Sequence, residues 1–130
     1  MQALAEQAGM RPFTVAPEAR ATYHAAACVA SNHLVALLGQ VERLACEAGV
    51  PFEAFLPLVR ASVDNVDELG PAGALTGPVA RGDSSTVAAH LAALSDDERA
   101  AYRAGALAAL RLASRDGDAG LGAVLSGTPV

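Results

Sequence analysis

Hydrophobic and polar positions recur at helical spacing along most of this chain. Pro17 and Glu18 open a long helical pattern that runs to about Ala48, with Gly49 as its stop and Pro51 just beyond. A second helix is predicted from about Pro51 to Leu69. Phe52, Leu56, Val59, Val63 and Val66 recur at steps of four and three, while Arg60, Asp64 and Asp67 occupy other faces. Pro57 lies inside that span and is expected to kink it. Residues 70–83, "GPAGALTGPVARGD", change character and predict an ordered loop or a short broken helix. Asp83 can cap a helix over about 84–94, and Ser95 with Glu98 has the spacing of a capping box that opens a last helix to about Arg115. The apolar face of that helix is Tyr102, Ala106, Ala109, Leu110 and Ala113, with Arg99, Arg103 and Arg111 expected in solvent. The glycine-rich end, 116–130, has weak caps and is expected to fray into a flexible tail.

The beginning has a different pattern. "MQALAEQAGM" resembles the end of a helix and "RPFTV" a short strand, yet a single short strand has nothing to pair with. The first 16 residues are therefore expected to be a remnant or linker of something larger. At 130 residues the chain is long enough for one ordinary domain. Hydrophobic residues make up 52%, largely alanine, with only 4% aromatics, which favours an all-α fold with close helix contacts. The expected architecture is a bundle of four to five helices over 17–115.

Charge narrows the function. Nine arginines and no lysine stand against 14 acids, for a net charge of -5, which gives no footprint for nucleic acid or anionic lipid. The run over 25–38 is shorter than the ~20 apolar residues that a membrane span needs, and no secretory leader is visible. Cys28 and Cys46 share the first helix about five turns apart and cannot bridge within it. Reduced cysteines in a cytoplasmic protein are the expectation.

Candidate chemistry falls in two places. In "YHAAACVASNHL", His24, Cys28, Ser31 and Asn32 interrupt the most apolar helix. On a regular wheel His24 and Ser31 are about 20° apart, with Cys28 and Asn32 in the same stripe and His33 on the opposite face. As ordinary helix residues they would bond back to the preceding turn or across helices; as one wall of a site they would meet a ligand. His24 is within side-chain reach of Cys28, but no oxyanion-hole signature accompanies the pair. A metal set drawn from His24, Cys28, Cys46 and His90 has ligand spacing at only one pair. The second place is "TGPVARGDSST", where Arg81 can fork onto a carboxylate or phosphate near a helix N-terminus; alternatively, Asp83 simply caps that helix.

"YHAAACVASNHLVALL", "LGPAGALTGPVARGDSSTVAAHLAAL" and "AYRAGALAALRLA", in that order, resemble the C-terminal domain of unknown function, family 2520, that follows a Rossmann-like NAD(P)-binding domain in a group of oxidoreductases. The group is more distantly similar to pyrroline-5-carboxylate reductase, ketopantoate reductase and 6-phosphogluconate dehydrogenase. In those enzymes the helical C-terminal domain closes over the nicotinamide, contacts substrate and forms the dimer. The resemblance implies a substrate-binding domain that homodimerises and has lost or left its Rossmann partner. No GxGxxG loop occurs here, so this chain alone should bind no dinucleotide, and NAD(P) belongs to the full-length protein. The dehydrogenase pattern of a lysine four residues before an asparagine meets Cys28 and Asn32 here. His24 is then the expected proton donor or substrate hydrogen-bonder, Asn32 and Ser31 its partners, and Cys28, Thr76, Arg81 and Asp83 further substrate contacts. Two other classes remain: a stand-alone helical interaction module, or a small-molecule binder without redox chemistry.

Overall fold

The computed structural model describes residues 13–127. Its fold is all-α, as the alanine-rich composition and helical periodicity predict, with no strand among the described residues. The expected helix end and most of the expected strand fall on residues 1–12, outside the described residues. Phe13, Thr14 and Val15 are not in a strand, and the Phe13 ring meets Tyr23 edge-on at 5.5 Å.

The chain divides into two compact units at Val50 and Pro51, where one was expected. The division follows from the end of the first long helix. Gly49 takes a left-handed φ of 69°, its N–H bonds to the Cys46 carbonyl, and the Val50 N–H bonds to Ala45, which closes the helix end. Pro51 then prevents its continuation.

From Pro17 to Glu47 the N-terminal unit is a continuous right-handed helical run. It opens with a 3₁₀ turn at Pro17–Ala19, continues as α1 (Arg20–Cys28), widens into a π turn at Val29–His33, and resumes as α2 (Leu34–Glu47). No residue of its first half is buried, though Cys28 is half-buried, and full burial begins at Gln40 and Ala45.

The C-terminal unit comprises a 3₁₀ turn at Phe52–Phe55, α3 (Leu56–Ala74), α4 (Pro78–Arg81), α5 (Ser84–Ala93), α6 (Asp96–Leu112) and α7 (Ala119–Ser126). Pro57 sits in the first turn of α3, where its missing N–H has no partner to lose, so it starts the helix and does not kink it. The break comes at Gly70, φ 70° and ψ 167°, with Pro71 opening a further turn. Residues 70–83 are accordingly a broken helix.

The core forms where α4, α5, α6 and α7 meet. Val79, Val87, Leu91, Ala106, Leu110, Leu121 and Leu125 are buried there, with Tyr102 and Ala109 packed against them. The apolar face read for the last helix is thus the buried one. Ser95 precedes α6 without a side-chain cap, so the serine half of the predicted capping box is not made; Arg99 pairs with Asp96 at 2.5 Å and donates to the Leu91 carbonyl. Arg99 and Arg103 are only half-exposed, whereas Arg111 is in solvent.

The expected frayed tail is corrected most clearly. Residues 119–126 are helical, capped by Asp118, whose carboxylate accepts the Leu121 N–H at 3.0 Å. Leu121 is fully buried and Leu125 nearly so. Leu121→Ala should therefore cost about 2–5 kcal/mol in denaturant unfolding, the range for truncating a buried leucine; a frayed end would lose almost nothing.

Candidate functional site

The first candidate group is built on the widened turn. A π turn holds one more residue per turn than an α-helix, so the regular wheel that put Ser31 about 20° from His24 stops applying at Val29. His24 and Cys28 precede it and keep their α spacing, with Nε2 and Sγ 3.7 Å apart. Ser31 and Asn32 lie inside it. The Ser31 hydroxyl donates to the Ala27 carbonyl at 2.7 Å and sits 2.8 Å from Asn32 Oδ1. One hydroxyl proton cannot serve both acceptors fully, so the two compete.

Such back-bonding occupies a carbonyl of the i→i−4 ladder, and a side chain inserted in that way is a physical cause of local helix distortion. The Asn32 amide NH₂ keeps its donors free among the described residues. His24, Ser31 and Asn32 are exposed, and Cys28 is half-buried. Two adjacent polar pairs thus face outward from one helix: an imidazole with a thiol, and a hydroxyl with an amide. Together they can donate to and accept from a polar ligand. His33 also falls in the π turn.

The second group does not converge on one ligand position. Thr76 lines an open cleft of about 350 Å³ with Ser62, Val66, Pro71, Leu75 and Leu112. Arg81 and Asp83 are not among its walls. Arg81 is exposed at the end of α4, and Asp83 is spent on capping α5. The Asp83 carboxylate accepts the Thr86 N–H at 3.0 Å, the Thr86 hydroxyl at 2.6 Å and the Ser85 hydroxyl at 2.8 Å. Thr86 and Ser85 hold its pKa down to about 2, with the nearby Arg81 charge assisting.

Sequence reasoning passed over two features of the C-terminal unit. The His90 imidazole Nδ1 lies 2.8 Å from the Tyr102 hydroxyl, with the rings perpendicular, and burial raises the phenol above its ordinary range. Arg103 lines an open cleft with Ala88, Leu91, Ala92, Arg99, Val124 and Gly127. The spacing of His90 to Tyr102 across a helix connection carries no local signal. Among the described residues, no three His, Cys, Asp or Glu side chains are grouped to hold a metal ion, and no helix is long and apolar enough to cross a membrane.

Residues 1–109 match the family described as "Domain of unknown function (DUF2520)". The chain belongs to this family. No curated protein and no solved structure gives a significant match. The DUF2520 match takes in both candidate groups and ends within α6, before α7.

The capping role of Asp83 has a pH signature. Its folded pKa is depressed from 3.8, so the stabilisation is fully present above about pH 4 and is lost as pH falls toward 2. In thermal unfolding followed from pH 7 to 2, the Tm difference between wild type and Asp83→Ala should stay constant down to about pH 4 and shrink below it.

Proposed function

We propose that this DUF2520 chain is the substrate-binding and dimerisation domain of an NAD(P)-dependent oxidoreductase, inactive without its nucleotide-binding domain. The observation that carries this reading is the polar run of His24, Cys28, Ser31 and Asn32 on an exposed helix that widens into a π turn, a distortion frequent at functional sites. Bound NAD(P) would supply the hydride, and this chain's residues are assigned to the substrate alone. His24 donates a proton to the substrate or hydrogen-bonds it. Ser31 and Asn32 orient it, the free amide donors of Asn32 meeting a substrate oxygen.

The dimer half of the proposal rests on apolar exposure. Tyr23, Val29, Val35 and Leu37 are 49%, 55%, 69% and 53% exposed along about 21 Å of one helix. A second copy of the same helix is the self-complementary cover that a two-fold dimer supplies. The same exposure favours one other reading, a stand-alone helical module that binds a partner or a small molecule, for which His24 would be dispensable.

In the complete gene product, assayed for NAD(P)H-dependent reduction of carbonyl and imine substrates, His24→Ala should lower kcat by about 10²-fold or more with circular dichroism unchanged. Unchanged turnover would sink the assigned role. Val35→Glu should convert a dimer to a monomer in size-exclusion chromatography with light scattering. A mass that stays dimeric would place the interface elsewhere.

A further inference from the structure

Among the described residues, Arg103 is a cation without a partner. It belongs to α6 and is half-buried, its Nε is shielded from solvent, and it makes no hydrogen bond or ion pair among the described residues. A guanidinium carries five donors in a fixed fork, and shielded donors left unmet are destabilising. Its surroundings do not explain the arrangement. The end of α7 lies beside it, since a Cβ at Gly127 would stand 3.6 Å from Nη2, and a helix C-terminus favours a positive charge. Yet no carbonyl of that end accepts from Arg103.

The side chain borders an open cleft of about 340 Å³ whose other walls include Leu91, Ala88, Ala92 and Val124. Arg99 also borders it, but its charge is met by Asp96 and its Nε by the Leu91 carbonyl. Among the described residues, the cleft thus offers one uncompensated positive charge, a planar fork and an aliphatic floor.

We propose that this cleft binds a small organic monocarboxylate, its carboxylate forked end-on by the Nη1 and Nη2 groups of Arg103 and its apolar body lying on Leu91 and Val124. One uncompensated cation matches one negative charge. The apolar floor matches a hydrocarbon body better than a bare ion, and the guanidinium fork fits a carboxylate through two parallel bonds. The site lies within the C-terminal unit and is independent of the role proposed for His24.

The test is a ¹H–¹⁵N NMR titration of the full chain with 3-phenylpropanoate and, separately, its neutral amide 3-phenylpropanamide. The carboxylate should give saturable shifts at the Arg103 Nε–H and at the amides of Leu91 and Val124, with millimolar affinity. The amide should bind at least about tenfold more weakly. Arg103→Ala should abolish the shifts at Leu91 and Val124. Arg103→Lys, which keeps the charge and loses the fork, should weaken them and serves if the alanine variant does not fold. Absence of saturable shifts, equal binding of acid and amide, or undiminished binding by both variants overturns the proposal.

Discussion

The C-terminal unit depends on one side chain that crosses it. The guanidinium of Arg115 donates through Nε to the Ala80 carbonyl at 2.9 Å, and its Nη1 faces Asp118 at 3.5 Å. Asp118 in turn caps α7. Arg115 thereby ties the short α4 turn, the end of α6 and the start of α7 into one junction. Gly82 makes room for it: φ is 75°, and a Cβ there would stand 2.7 Å from Arg115 Nη1. The junction fixes where α7 starts, and from there Leu121 and Leu125 close the apolar side that α5 and α6 share.

Among the described residues, three helix ends close in the same way, and they show what could be foreseen. At each, a residue with positive φ follows the helix and two N–H groups turn back to its last carbonyls. At Gly49 and Gly82 the residue is glycine, the type that tolerates this backbone; Gly49 was legible as a stop, while Gly82 lay in a stretch legible only as loop or broken helix. At Ser114, φ 53°, it is a serine, and the Arg115 N–H bonds back to Leu110 with no glycine to announce it. The reversal after α6 was hidden for that reason. What followed, read as a glycine-rich tail, is a helix whose spacing of Leu121, Val124 and Leu125 was in plain view, with Asp118 as its cap.

The candidate site divides along the same line. Spacing of four brought His24 and Cys28 together because the backbone up to Cys28 is regular, and Asp83 before a Ser-Ser-Thr start was readable as a cap. The π turn was not readable, since "VASNH" holds no proline or glycine. The Ser31 bond to the Ala27 carbonyl accompanies it, and serines make such bonds in helices without widening them, as Ser62 does to Leu58 in α3. Arg103 escaped for another reason. A helix wheel places it beside Arg99 and Arg111 on a polar face, and only the position of α7 shows that its Nε is covered.

Exposure sets the condition under which the first group can act. Hydrogen bonds from His24, Ser31 and Asn32 to a ligand compete with water, and proton donation gains most where water is excluded and the dielectric is low. On the N-terminal helix these polar residues alternate along the sequence with the exposed Tyr23, Val29 and Val35. Under the proposed role, a surface that buries these apolar side chains also closes over the neighbouring polar ones. The hydrophobic gain then offsets their desolvation, and the same event removes water from around the imidazole. Under the proposed role, assembly and formation of a working site are one step, and a helix that is inert in water has its chemistry switched on by whatever covers it.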